Sequence, residues 1–228
     1  MKKYKVISLD MFQTLANVRS REEHIWKRIL KDDYSEELKN KYVKLAGQKI
    51  VEKFHSTESC SNQFRTLKEI FLDNFTEIFQ ENLSNYCPEE AMQIFIEEHG
   101  YSDIYKDSIE FVKKASQKYI VCLVSDADIE MVEPILNQFD FDKVFISEYA
   151  RSYKRDPNNK IFQDLLDHYK VAPESILHIG DSSSDMYGAS KAGIDVCWIN
   201  RHEYSKRFNF EPSYSVKSLE ELYSVLDI

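Results

Sequence analysis

Three apolar runs in this chain end on an aspartate: KYKVISLD at 3–10, YIVCLVSD at 119–126 and SILHIGD at 175–181. Two more, DKVFIS at 142–147 and DVCWIN at 195–200, share their β-branched and aromatic character. Runs with so few charges suit strands buried on both faces of a parallel sheet. Amphipathic stretches at 106–118, 128–139, 157–169 and 184–193 interleave with them. That alternation predicts an α/β fold whose core is a doubly wound, Rossmann-like parallel sheet. In such sheets the carboxyl ends of the strands line the ligand crevice, so the terminal acids should gather on one edge.

Residues 17–100 break the rhythm, with one glycine (Gly47) and one proline (Pro88) between Asn17 and His99. Apolar residues recur there at helical spacing: Ile25, Trp26, Ile29 and Leu30, then Phe64, Leu67, Ile70, Phe71, Phe75, Ile78 and Phe79. The pattern predicts a helical bundle inserted as a cap, with the aromatic stripe as its packed core. The expected domains are therefore 1–16 with 101–228 for the α/β core and 17–100 for the cap.

Composition narrows the partners. Thirty basic against 39 acidic residues leave a net charge of −9, which argues against nucleic acid held through its phosphates. A small phosphorylated molecule is not excluded, because local cations and a metal can outweigh the global field. Cys60, Cys87, Cys122 and Cys197 form no C-x-x-C pair, so neither disulfides nor a zinc site is expected. No apolar run approaches the ~20 residues that span a bilayer. Asp10 interrupts the apolar start, which lacks the cleavage pattern of a signal peptide. The cytoplasm is the default expectation, without a membrane partner. Oligomeric state has no signature in the sequence.

The strand tips carry the chemistry. Asp10 is followed by Thr14; Ser125 and Asp126 end another run; Gly180 and Asp181 lead through three serines to Asp185. A single aspartate at a strand end is ordinarily a turn or helix-cap residue, and GDSSSD alone also reads as a serine-capped helix start. Several such acids on one edge are costly unless a cation compensates them, and magnesium, a hard ion that prefers oxygen, suits the set. Lys154, in RSYKRDP, would supply a fixed ammonium against charge developing on a phosphoryl group. Its bland alternative is a surface lysine before a capped helix start at Asp156-Pro157.

In this order, LDMFQTL (9–15), LVSD (123–126), KRDPNNKIF (154–162) and HIGDSSSDMYGASKAGI (178–194) resemble the haloacid dehalogenase-like hydrolase superfamily. The resemblance covers 1–16 and about 101–226, and the insertion looks like the small helical cap of one branch. It implies that Asp10 attacks phosphorus to give an aspartyl-phosphate. Ser125, with Thr14 and Asp126 nearby, would bind the phosphoryl group, and Lys154 would hold Asp10 and the phosphate together. Asp10, the Phe12 carbonyl, Asp181 and Asp185 would hold Mg2+, with Asp185 supporting from behind or binding directly.

Phe12 stands where phosphatases of this superfamily carry a second aspartate as acid/base. General acid–base catalysis is worth about 10²–10⁴-fold, and a phenyl ring transfers no proton. Three readings follow: a magnesium-dependent phosphatase of a small phosphorylated metabolite with another proton source, a haloacid dehalogenase-type enzyme, or a catalytically weakened binding protein. By resemblance, dehalogenases carry an aromatic residue at this point but an asparagine-containing fourth motif. Asp181 therefore favours the phosphatase. Gln13 replaces the usual glycine and Arg155 the usual proline. His24, His55 and His99 are candidate replacement acid/bases, and Arg19, Arg21 and Arg65 candidate anion binders. For each of these six, a surface or packed-core role is the competing reading.

Overall fold

Every residue of the first strand, Val6–Leu9, is buried, and the sheet grows outward from it on both sides. The computed structural model describes the backbone of residues 4–60 and 63–228, and the side chains of those residues outside 51–60. In chain order the strands are β1 (Val6–Leu9), β2 (Ala16–Asn17), β3 (Asp103–Ile104), β4 (Ile120–Ser125), β5 (Lys143–Ile146), β6 (Ile176–Gly180), β7 (Asp195–Ile199) and β8 (Tyr214–Val216). The helices are α1 (Glu22–Leu30), α2 (Glu36–Cys60), α3 (Leu67–Glu81), α4 (Pro88–His99), α5 (Ser108–Ala115), α6 (Ile129–Leu136), α7 (Ser147–Ala150), α8 (Lys160–Tyr169), α9 (Ser183–Lys191) and α10 (Tyr223–Leu226).

Six strands form one parallel sheet in the order β5-β4-β1-β6-β7-β8. The chain winds outward from β1 through β4 and β5, then returns to β6 on the other side, which is the doubly wound topology expected. The five long apolar runs all become strands, because burial on both faces leaves little choice of register. Two features were not anticipated. The edge strand β8 is only three residues long, and β2 pairs antiparallel with β3, Ala16 opposite Ile104.

The chain divides into two compact units. One holds the sheet: the chain up to Asn17, Asp103–Ala127 and Ile135–Ile228. Beneath the sheet Val6, Cys122 and Val124 pack with Ile161, Phe162 and Leu165 of α8 and with Met186 and Ala189 of α9.

The other unit is Val18–Ser102 with Asp128–Pro134. Its core is the aromatic stripe: Phe71, Phe75 and Phe79 of α3 are buried, Trp26 stacks on Tyr42, and Phe95 meets Phe71 and Phe75 edge-on. The stripe is packed core, as its spacing predicts. Asp128–Pro134 joins this unit for a local reason. The Asp128 carboxylate accepts the Leu67 and Lys68 amides at 3.0 and 2.8 Å, capping α3, and Glu130 pairs with Lys68 at 2.8 Å. Gly100 lies so close to Pro134 that an added Cβ would meet its ring at 2.7 Å. Among the described residues, Cys87, Cys122 and Cys197 are free, and no helix is long and apolar enough to cross a membrane.

Candidate active site

The strand order reverses between β1 and β6, and that is where a doubly wound sheet opens its ligand crevice. Leu9 is in register with Leu123 of β4 and with Ile179 of β6. Asp10, Ser125 and Asp181 therefore emerge one or two residues beyond a common line, on the same edge.

Asp10 is 5% exposed, and its Oδ1 accepts two bonds, from Ser125 Oγ at 2.9 Å and from Lys154 Nζ at 2.7 Å. Lys154 is buried and also donates to Asp185 Oδ1 at 2.5 Å. Burial alone would favour the neutral amine, but Asp10, Asp185 and Asp126 surround it and hold it charged, well above the usual lysine range. Asp126 is tied to the same segment, accepting the Lys154 backbone N–H at 2.8 Å, and burial pushes its carboxyl up to about 7.

Asp185 is fully buried and saturated. Oδ1 takes Lys154 and His178 Nε2 at 2.9 Å; Oδ2 takes the Ser182 amide at 3.0 Å and hydroxyl at 2.6 Å. His178 is in turn bonded through Nδ1 to Ser8 Oγ at 2.9 Å. Burial raises the Asp185 carboxyl, yet Lys154 and His178 outweigh it and hold the group below the usual carboxylate range. Ser182 caps α9 with Asp185 reciprocating, so the helix-cap reading of GDSSSD and the site reading are both true of the same residues.

Two glycines make these approaches possible. A Cβ on Gly180 would lie 2.2 Å from the Asp185 carboxyl carbon, and one on Gly188 would lie 2.2 Å from the Lys154 carbonyl oxygen.

Carboxylate oxygens of Asp10, Asp181 and Asp185 lie within 4.8 Å of one another. Burial raises the Asp10 carboxyl despite Lys154, and burial with the charges of Asp10 and Asp185 raises Asp181 well above its ordinary value. One ammonium does not offset this many acids. The donor set is all oxygen, as a hard dication requires, so the residues fit a magnesium-type ion. Asp10 Oδ2 takes none of the bonds above and Asp181 carries a strongly raised carboxyl, so these two are the open donors. With both oxygens saturated, Asp185 fits the supporting role.

The loop after β1 is held unusually firmly. Gln13 has φ 63, a left-handed conformation that costs a non-glycine residue of order 1 kcal/mol or more. Its N–H donates to Ala16 O at 2.6 Å and its Oε1 accepts from Tyr105 Oη at 2.8 Å. Arg201 Nε donates to the Thr14 carbonyl at 2.9 Å and the guanidinium grips Asp107 with two further bonds. The Thr14 hydroxyl is buried and makes no hydrogen bond within the protein.

The other candidates belong to the helical unit. His99 is core: it lies beside Phe71 and Phe95, its Nδ1 is 2.6 Å from the Phe95 carbonyl, and burial pushes it down to about 4. His24 and Arg19 are exposed. Arg21 bonds Glu98 at 2.8 Å and Arg65 bonds Asp73 at 2.7 Å, so each has a carboxylate partner. His55 lies outside the described side chains. Sequence reasoning missed His178, whose signal was a histidine inside the strand before Gly180-Asp181. It also missed Tyr105, Asp107, Arg201 and His202, which left no local signal.

A carboxylate braced by one buried ammonium at the head of a parallel sheet has the chemistry of a nucleophile. Residues 4–193 match the sequence model of the haloacid dehalogenase-like hydrolases, and the chain belongs to that family. It is 31% identical to (S)-2-haloacid dehalogenase 4A of Burkholderia cepacia over 54% of each chain. It is 38% identical to pyrimidine 5'-nucleotidase PynA of Streptococcus pneumoniae over 38% of this chain and 37% of that one. The matched stretches thus span 54% and 37% of those two curated relatives. The solved structure of the HAD-hydrolase YfnB from Bacillus subtilis, bound to magnesium, superposes with a TM-score of 0.84 at 19% identity, covering 100% of both chains.

Proposed function

We propose that this hydrolase is a magnesium-dependent phosphatase of small phosphate monoesters, working through an aspartyl-phosphate on Asp10. The observation that carries this reading is Asp181. It is a partly exposed carboxylate beside Asp10, raised well above its ordinary value, and it makes sense as the partner of a dication. Bound there by Asp10 and Asp181, magnesium would neutralise charge on the phosphoryl oxygens. The likeness to a pyrimidine nucleotidase and to a magnesium-bound family structure supports the same reading.

This chain's own residues supply the rest. Lys154 and Ser125 hold the Asp10 carboxylate in place for attack on phosphorus. As that P–O bond forms, the ester P–O bond breaks and the alcohol leaves, drawing its proton from solvent because Phe12 has none to give. Water then attacks the aspartyl-phosphate, releases inorganic phosphate and returns Asp10 as the carboxylate. The Lys154 ammonium offsets the charge that accumulates in both steps. The cytoplasm, a monoester substrate and the cap at 17–100 as its selector complete the proposal.

Phe12 favours a second reading, carbon–halogen hydrolysis at the same nucleophile, since halide leaves without a proton; the likeness to a haloacid dehalogenase points the same way. A panel of phosphate monoesters and 2-haloacids, each with magnesium and with a chelator, separates the two. Phosphate release that depends on magnesium and vanishes in Asp10→Asn is the expected result. Halide release indifferent to chelator would transfer the assignment to the second reading.

A further inference from the structure

The Gln13 backbone occupies a conformation that glycine would adopt freely, and its side chain is engaged by residues remote in sequence. Tyr105 Oη donates to Gln13 Oε1 at 2.8 Å, and His202 Nε2 lies 2.9 Å from the same Tyr105 oxygen and 3.4 Å from Gln13 Oε1. Tyr105 cannot drift, because its own amide donates to Leu15 O at 3.0 Å and the Arg201 guanidinium lies 4.1 Å over its ring. His202 and Arg201 both lie beyond residue 193, where the family match ends. The peptide they control joins Phe12 to Gln13 and lies three residues past the nucleophile.

We propose that Tyr105 and His202 are positioning residues: through the Gln13 side chain they hold the left-handed turn that aims the Phe12 carbonyl at the metal position. A loop with glycine at this point needs no such clamp. Here a larger residue occupies the strained position, and a polar lock anchored on the loops after β3 and β7 keeps it there. Leu15 is tied down by Ser108 Oγ at 2.9 Å and by the Tyr105 amide, and Thr14 by Arg201, none of which uses the Tyr105 or His202 side chain. The lock therefore acts on the Phe12–Gln13 peptide itself rather than on the loop as a whole. The metal aspect rests on the phosphatase reading; the lock does not.

The test is a double-variant cycle on the full chain with two readouts, Mn2+ affinity by electron paramagnetic resonance and hydrogen exchange of a peptide spanning 9–17. Tyr105→Phe removes the donor with little change of shape. It is expected to raise exchange in 9–17 and to weaken Mn2+ binding about tenfold, the factor matching strain of this kind. In a Gln13→Gly background the same substitution is expected to change either readout less than twofold, because glycine holds the turn unaided. His202→Ala should follow the same pattern. Equal effects in both backgrounds, or none in the Gln13 background, overturn the proposal. If the parent chain binds no Mn2+, the metal reading fails, and the exchange cycle still decides the lock by the same two outcomes.

Discussion

Replacing Lys154 with methionine keeps most of the unbranched side chain and removes the ammonium on which the acid cluster depends. Lys154 is 2% exposed and bonded to Asp10 at 2.7 Å and Asp185 at 2.5 Å, with Asp126 beside it. Removing one partner of a buried ion pair typically costs about 3–5 kcal/mol, because the other charge is left uncompensated. Asp185 keeps His178 and Ser182 and Asp10 keeps Ser125, so about 3 kcal/mol is expected at pH 7. That is a large share of the 5–15 kcal/mol typical of a folded domain. The loss should shrink on acidification. Burial raises the Asp126 carboxyl to about 7 from 3.8, and Asp10 and Asp181 are raised too. A raised carboxyl contributes stability that is present below its unfolded value and lost as pH rises through the folded one. Without the ammonium these values climb further, so the variant should recover stability relative to the parent between pH 7 and 5. Magnesium should also narrow the gap, because the variant's less compensated acids bind it more tightly than the parent's; each tenfold ratio of dissociation constants is worth about 1.4 kcal/mol at saturation. Urea unfolding at both pH values, with and without magnesium, measures all three effects. A loss below about 1 kcal/mol, or one indifferent to pH and magnesium, would refute the compensation argument.

Three further outcomes are expected. Gly188→Ala places a methyl 2.2 Å from the Lys154 carbonyl; it should cost about 1–3 kcal/mol by overpacking and lower kcat about a hundredfold by displacing Lys154, measured by unfolding and steady-state kinetics. His99 sits at about 4 against 6.5 when solvated, so protonation favours the unfolded chain. The stabilisation is whole above 6.5 and is lost towards pH 4, about 2 kcal/mol of it by pH 5. His99→Phe should flatten that part of the pH dependence in urea titrations at pH 7 and 5. Phe12→Asp should raise phosphatase turnover by about 10²–10⁴-fold; unchanged phosphate release would mean that proton transfer is not what Phe12 withholds.

The sheet and its acid edge were legible because both follow from local rules. A strand buried on two faces must be apolar throughout, and an aspartate at the end of such a run stands out; Asp10, Ser125 and Asp181 could be placed from three short runs alone. For Asp185 the resemblance left a supporting and a direct role open; what the sequence could not show is the saturation of its oxygens, Oδ1 by Lys154 and His178 arriving from other elements and Oδ2 by Ser182. The Gln13 lock was illegible for the same reason. Tyr105 and His202 are 92 and 189 residues from Gln13 in the chain, and nothing in their neighbourhoods marks them. The amphipathic stretch 106–118 exceeds its helix at both ends and 157–169 starts three residues before its helix, because apolar spacing does not mark where helical hydrogen bonding begins or stops. The strand β8 escaped notice because three residues carry too little pattern.

The Asp128 cap on α3 bears on how such a chain could be recombined. Because Asp128–Pro134 belongs to the same compact unit as Val18–Ser102, the polypeptide passes between units four times rather than two. An engineer splicing Asn17 to Asp103 would discard Leu67 and Lys68 yet retain the carboxylate that served their amides, three residues downstream of Ser125. Transplanting a foreign bundle at the two obvious junctions would meet the same mismatch. Exchangeable modules here come in two pieces, and a successful chimera must carry the seven-residue segment along with the larger one.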